Sequence, residues 1–161
     1  EAFDLAGGEL DRSKAYDYAR AWLEPVLEEK PSIQILIDLH RDGVPEDRHL
    51  VTEINGKPTA QIMFYNGLSH TINSGDLSYL PNPYIQDNLA FSFQLEYQAA
   101  LYYPELYRGI YLAGLRYNLH LRPRAAFGGR GSDKYCPGGK KCNGSFCGYP
   151  EPGAAGGKLK K

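Results

Sequence analysis

The first 126 residues of this 161-residue chain contain no cysteine, and the whole chain has one methionine and one tryptophan. Disulfides and cysteine-based metal knuckles are therefore excluded from most of its length. No apolar run approaches the roughly 18 residues that would span a bilayer as a helix. No charged-then-apolar leader opens the chain, which starts at Glu1 and reads as a processed product or a fragment. Excess charge is lacking too: 18 Lys+Arg stand against 19 Asp+Glu, giving a net charge of −1. A nucleic-acid binder usually carries a basic face, so none is expected here. What remains, with 42% hydrophobic and 23% charged residues, is the composition of an ordinary globular domain.

The charge balance conceals two unlike parts. From Phe127 to Lys161 there are 7 Lys+Arg, 2 acidic residues (Asp133 and Glu151), 10 of the 18 glycines and all three cysteines. That tail carries +5, and the preceding Tyr-rich body carries −6, from 11 basic against 17 acidic residues. Residues 1–125 are read as one domain and 126–161 as a Gly-, Lys- and Cys-rich tail expected to be disordered. Cys136, Cys142 and Cys147 lack C-x₂-C spacing and are odd in number, which argues against a zinc or disulfide module.

Within the body, EAFDLAGGELD has no clear period and reads as a loop. Ser13 suits a helix N-cap, and Ala15, Tyr18, Ala19, Trp22, Val26 and Leu27 follow at helical spacing. Pro25 should bend or reset this helix, and Lys30-Pro31 should end it. IQILIDLH, residues 33–40, is apolar on both faces and reads as a central strand covered by helices. Period two places Gln34, Leu36, Asp38 and His40 on one side of it. LVTEING and TAQIMFYN read as paired strands about an Asn55-Gly56 turn. Residues 67–87 form a polar loop long enough to suggest a binding or lid role. A second helix is predicted from about Asn88 to Tyr102, with Leu89, Phe93, Tyr97, Ala100 and Leu101 on one face, and YRGIYLA, residues 107–113, as another strand. No internal repeat is present, and the element order predicts an α/β fold with a mixed sheet flanked by helices.

Of the four histidines, His49 and His70 read as surface or hydrogen-bonded residues. His40 ends an apolar strand amid Asp38, Arg41 and Asp42. A neutral imidazole there suits zinc, with a neighbouring carboxylate orienting its other nitrogen. A catalytic zinc needs three protein ligands and an open position, however, and neither H-E-x-x-H nor H-x-x-E-H spacing occurs.

The run PSIQILIDLHRDG, then TEINGKPTAQIMF, then NLAFSFQLEYQAALYYPELYRGIYLAGLRYNLHLRPRA, spread over residues 12–125, resembles the stage II sporulation protein P family. The resemblance rests on a D-x-H-R-D segment at a strand end, I-N-G-K, an N-L-x-F helix, Y-P-x-L-x-R-G-I and R-Y-N-x-x-L-x-P, all in order. It implies a zinc-dependent peptidoglycan hydrolase with the N-acetylmuramoyl-L-alanine amidase fold, acting at the cell envelope outside the cytoplasm alongside other sporulation cell-wall machinery. By this carry-over His40 is a zinc ligand, and Asp38 and Asp42 support it. Arg116 and Asn118 fall on a segment near the active-site groove that either contacts substrate or forms a structural turn, and Arg12-Ser13 match the start of the helix before the His40 strand. His120 receives no role.

Two parts of the family pattern are missing. No upstream H-T-H-x-x-E segment precedes the first helix, and Glu1-Ala2-Phe3 sits too close to that helix to supply it. The strand L-L-x-E-V-G, whose Glu would act as general base, is expected after Arg124-Ala125, where this chain reads AAFGGRGSDKYCPGGKKCNGS, judged neither strand-like nor acidic. The fold is accordingly expected to be incomplete at the N-terminus, and the chain to be a hydrolase fragment of little activity. A peptidoglycan-binding module without catalysis is the alternative, its tyrosines and polar loop contacting glycan.

The genetic code offers an account of the tail. With third bases chosen freely, residues 134–150 read one nucleotide on give NTVQEAKNAMEAFADI, an Ala-rich helix pattern, and residues 126–133 give LLEVGGAT. A frameshift near Ala126 is therefore expected. The coding DNA tests this directly: its codons should yield E-V-G and N-T in the shifted frame, and codons that cannot do so sink the idea.

Overall fold

The computed structural model describes residues 5–6, 9–10, 14–41, 48–130 and 157–158. In chain order the elements are β1 (Leu5–Ala6), β2 (Glu9–Leu10), α1 (Ala15–Glu29), β3 (Leu36–Arg41), β4 (Val51–Ile54), β5 (Lys57–Ala60), β6 (Ile62–Gly67), β7 (His70–Thr71), β8 (Gly75–Asp76), α2 (Ile85–Tyr102), β9 (Tyr107–Ala113), β10 (Ala125–Arg130) and β11 (Gly157–Lys158). Five of them form one sheet in the order β11-β9-β6-β10-β3. β3 runs parallel to β10, β10 antiparallel to β6, and β6 parallel to β9. The sheet is thus mixed, with helices against it, as the element order predicts.

The termini of α1 follow simple chemistry. Lys30 caps its end, donating its N–H to the Val26 carbonyl, and Pro31 then prevents continuation. Pro25 lies inside the helix, which runs unbroken across it. Ser13, the expected N-cap, lies outside the described residues, and Lys14 occupies the cap position without a side-chain capping bond to the helix. The Asn55-Gly56 pair makes the predicted hairpin: both residues have positive φ, 52° and 75°, joining β4 to β5. TAQIMFYN divides at Gln61, its first part pairing in that hairpin and Ile62–Gly67 entering the main sheet. The 67–87 loop contains its own small hairpin, β7 with β8, where His70 Nδ1 meets Asp76 Oδ1 at 2.7 Å.

Pairing register assigns the two sheet faces. Asp38 and His40 stand opposite Phe127 and Gly129 of β10, which in turn face Tyr65 and Met63 of β6. This face carries the core of Met63, Tyr65, Leu119 and Ala125, against which Tyr16, Leu36, Tyr111 and Tyr117 pack. On the other face lie Ile37, Leu39, Ala126, Gly128, Phe64 and Asn66, and α2 covers β6, β9 and β10 there.

Three sequence expectations need correction. β3 is an edge strand among the described residues, not a central one. Its apolar outer face stays open, with Ile35, Ile37 and Leu39 50%, 61% and 49% exposed. Apolar residues on both faces show what a strand would bury, not how many neighbours it pairs with. Second, α2 starts at Ile85 and turns polar residues to the sheet: Asn88 and Ser92 are buried, whereas Phe93, Tyr97 and Leu101 are exposed. The sheet needs those polar groups. Ser92 Oγ donates to Asn66 Oδ1 at 3.1 Å, and Asn88 both donates to the Leu119 carbonyl at 2.6 Å and accepts from the Ala125 N–H at 2.9 Å.

Third, the stretch after Arg124 does form a strand. β10 sits between β6 and β3, and Ala125 and Ala126 are completely buried. Weak β propensity in Ala-Ala-Phe-Gly-Gly is overridden because the strand fills a slot with ladder partners on both sides. It also crosses the 125/126 boundary expected between domain and tail. The disorder expected of the tail and its three cysteines lie outside the described residues, apart from Gly157–Lys158, which pairs with β9.

Asn88→Ala removes two buried hydrogen bonds at once and leaves the Leu119 carbonyl and Ala125 N–H unpaired. It should cost about 2–4 kcal/mol of unfolding free energy. Urea titration measures it, and an unchanged midpoint would contradict the assignment.

Candidate functional site

The His40 end of β3 gathers the chemistry. Asp38 and His40 project to one face, two residues apart, and His40 Nε2 donates to Asp38 Oδ1 at 2.5 Å. A neutral ring held this way carries its lone pair on Nδ1, the arrangement in which a carboxylate orients a metal-binding or proton-accepting imidazole. The side chain of His40 is 15% exposed and that of Asp38 39%, so the pair lies at the boundary between core and solvent.

Tyr16, in the first turn of α1, lies against this pair. Its ring is stacked on His40 with centroids 6.0 Å apart and planes 16° from parallel, and it meets Tyr117 at 5.1 Å. Burial, then the neighbouring Asp38 charge and the Tyr117 and Tyr65 phenols, push the Tyr16 hydroxyl well above the usual tyrosine range. It is therefore a neutral phenol at any physiological pH.

The segment after β9 reaches the same place from the other side. Gly67 gives it room: a Cβ there would strike the backbone oxygens of Leu115 and Arg116. Tyr117 adopts φ 54°, a left-handed conformation that costs a bulky residue free energy and persists only where the surroundings hold it. Asn118 is 7% exposed and donates through Nδ2 to the Tyr16 carbonyl at 3.0 Å. Arg116, 9% exposed, donates through Nη1 to the Pro81 carbonyl at 3.0 Å. Burial and the adjacent Arg20 lower its affinity for its proton. The structure thus brings Asn118 to the His40 pair through Tyr16, while Arg116 ties the 114–124 turns to the 67–87 loop. Asp42 lies outside the described residues.

Two contributions escaped the sequence reading. Tyr16 was not singled out, since the apolar stripe read for this helix was Ala15, Tyr18, Ala19, Trp22, Val26 and Leu27, and its partner His40 is 24 residues away. His120 was left without a role, and it is an electrostatic feature. Burial, then Arg116 and Arg20, lower its pKa to about 4.

Zinc was tested against the donors present. Among the described residues no group of three His, Cys, Asp or Glu side chains could hold a metal ion. His40 with Asp38 supplies one oriented imidazole, and that pair alone does not fit a catalytic zinc centre. No helix among the described residues is long and apolar enough to cross a membrane.

The fold is a mixed α/β sheet carrying the Asp38–His40 pair at the end of an edge strand, with Tyr16 stacked on the imidazole. The family model of stage II sporulation protein P matches residues 4–133. The chain belongs to that family, one of sporulation-associated cell-wall hydrolases. The match runs through β10 and thus includes the strand the sequence reading had excluded. No curated protein and no solved structure matched the chain.

His120 sets a pH dependence of stability. Its unfolded pKa is near 6.5 and its folded value about 4, so the unfolded chain takes up the proton first. This contribution is intact above pH 6.5 and is lost as pH falls toward 4. Discounted for screening at a half-exposed ring, the loss is on the order of 1–2 kcal/mol. His120→Gln should flatten that part of the stability profile in urea titrations between pH 7 and pH 4, and an unaltered slope would refute the assignment.

Proposed function

We propose that this chain is the scaffold of a peptidoglycan hydrolase directed at the N-acetylmuramoyl-L-alanine amide, and that it cleaves weakly or not at all as it stands. The observation that carries this reading is the register of β10 against β3. Gly129 stands directly across from His40 on one side and Met63 on the other. The resemblance implies a strand L-L-x-E-V-G after Arg124-Ala125, and counting from Ala125 its glutamate would fall at position 129. A hydrogen stands there instead of a carboxylate.

Amide hydrolysis needs that group. Water adds to the lactyl carbonyl carbon while a base takes its proton. The same proton then passes to the nitrogen of L-Ala as the C–N bond breaks, leaving a lactyl carboxylate and a free peptide amine. His40, oriented by Asp38, can hold a proton or act as one ligand of the zinc that the resemblance implies. Arg116 and Asn118 are the residues proposed to lie nearest substrate, and both are also bonded within the fold, Arg116 to the Pro81 carbonyl and Asn118 to the Tyr16 carbonyl. Asp42 is proposed to support His40, as Asp38 does. The site of action would be the cell envelope, with peptidoglycan as ligand and other sporulation cell-wall proteins as partners. A shift of reading frame near Ala126 remains our proposed origin of the altered sequence; its reading LLEVGGAT puts a glutamate at position 128, which pairs with Leu39 and not with His40.

A non-catalytic wall-binding role is favoured by one feature, the aromatic surface of Tyr79, Tyr97 and Tyr102, which are 71%, 66% and 66% exposed. Flat rings of this kind suit sugar faces. The two readings separate in one assay with purified sacculi. The chain should cosediment with them and release no stem peptide, with or without chelator. Chelator-sensitive release would overturn the claim of weak cleavage, and failure to cosediment would overturn the wall assignment. Loss of cosedimentation in Tyr79→Ala alone would favour the binding role.

A further inference from the structure

We infer that the open edge of β3 is where a second copy of this chain adds its own β3, antiparallel and two-fold symmetric about Ile37.

The ladder defines that edge. The Leu36 N–H donates to the Arg124 carbonyl, so Leu36, Asp38 and His40 turn their backbone groups toward β10. Ile37 and Leu39 alternate with them and turn N–H and C=O outward, where no strand pairs with them among the described residues. Their side chains, with that of Ile35 just before the strand, form an exposed apolar row beside the strands that α2 covers, β6, β9 and β10. On the opposite face Asp38 keeps 39% of its side chain exposed, so α1 does not close over the edge. The strand meets β10 without a bulge and contains neither proline nor lysine. Those are common means of blunting an edge against added strands, and this edge lacks them. Its one mid-strand acid, Asp38, acts instead on the register.

For bonds to form, outward-facing residues must oppose one another, which leaves three two-fold centres. Centring on Asp38 sets two carboxylates directly opposite, a destabilising pair. Centring on Leu39 puts Ile37 opposite Arg41 and leaves Ile35 without an apolar partner. Centring on Ile37 pairs Ile37 with Ile37 and Ile35 with Leu39 of the second copy, and sets Asp38 opposite Leu36. Of the three, this register alone joins all six apolar side chains in one row and opposes no like charges. The strand read backwards thus fits itself, the condition for an isologous interface.

The two-fold axis stands perpendicular to the sheet, so both copies present His40 on one face. In this register His40 is level with Gln34 of the second copy, which sets the two candidate sites about 20 Å apart along the strands. A polymeric ligand spanning both gains by avidity. That consequence rests on the wall reading, whereas the dimer does not.

Sedimentation equilibrium of the full chain in reducing buffer tests the dimer. The average mass should rise with concentration from 18.0 kDa toward twice that value. Ile37→Lys sets two ammonium groups on the axis and should hold the mass at 18.0 kDa throughout. The Ile37 side chain is already 61% exposed, so the urea midpoint of the monomer should stay in place. Tyr97→Lys, on the outward stripe of α2, should dimerise like the parent. Ile37→Cys, oxidised and mapped by mass spectrometry, should give one peptide joined to its own copy through the introduced thiols. A hydrogen-bonded antiparallel pair sits about 5.5 Å apart at Cα, within disulfide range. This cross-link carries the test if Ile37→Lys fails to fold. A parent chain of 18.0 kDa at every concentration would overturn the inference. So would an unweakened dimer in Ile37→Lys, or loss of the dimer in Tyr97→Lys alone, which would move the interface to α2. Introduced thiols that join only to native cysteines would overturn the register. A dimer that fails to cosediment with sacculi would count against the wall reading alone, and a monomer that cosediments would count against the dimer alone.

Discussion

The fold depends on β10 having a partner on each side. Its ladder joins β3, which carries Asp38 and His40, to β6 and through it to β9. Without β10 the His40 strand has no attachment to the rest of the sheet among the described residues. The strand is made of residues that would not choose this conformation by themselves, so its placement is imposed. Asn88 imposes it at the start, accepting the Ala125 N–H while donating to the Leu119 carbonyl. Two backbone groups that would otherwise be buried without partners meet one amide, and the turn before β10 and α2 are fixed together.

A second layer of polar order follows from the first. Ser92 and Asn66 meet at the interface between α2 and β6, both almost completely buried. A helix that presents Asn and Ser to a sheet gives up apolar contact for directional bonds, and its apolar residues are left outside. This explains why Phe93, Tyr97 and Leu101 form an outward stripe. The helix is oriented by its hydrogen bonds more than by its hydrophobicity, in contrast to the core on the opposite face, where Met63, Tyr65 and Leu119 pack with Tyr16 and Tyr117.

Much of this was legible in the sequence, and the failures have definite causes. The Asn55-Gly56 turn, the end of α1 at Lys30-Pro31 and the strand Tyr107–Ala113 follow from local chemistry, and the structure agrees with all three. The inward face of α2 was misread because periodicity counts apolar residues and assumes they go inside. β10 was missed because Ala and Gly carry no strand signal, and its formation depends on neighbours remote in sequence. At the site, the nearness of Asp38 to His40 was evident from period two within one strand. The link from Asn118 to Tyr16 was not, since no local pattern relates a turn after β9 to the first turn of a helix about a hundred residues earlier.

The two faces of β3 differ in apolar content, with Leu36 on one and Ile37 and Leu39, preceded by Ile35, on the other. Hydrophobic burial alone would therefore favour a pairing slipped by a single residue over the observed one. Such a slip would send Asp38 and His40 to the open side and press Ile37 and Leu39 toward Tyr16. The choice falls to directional contacts: the Leu36 N–H donating to the Arg124 carbonyl at 3.4 Å, and the stack of Tyr16 on His40. On this strand the residues of the candidate site also keep the alignment, so a substitution there acts on strand geometry as well as on chemistry.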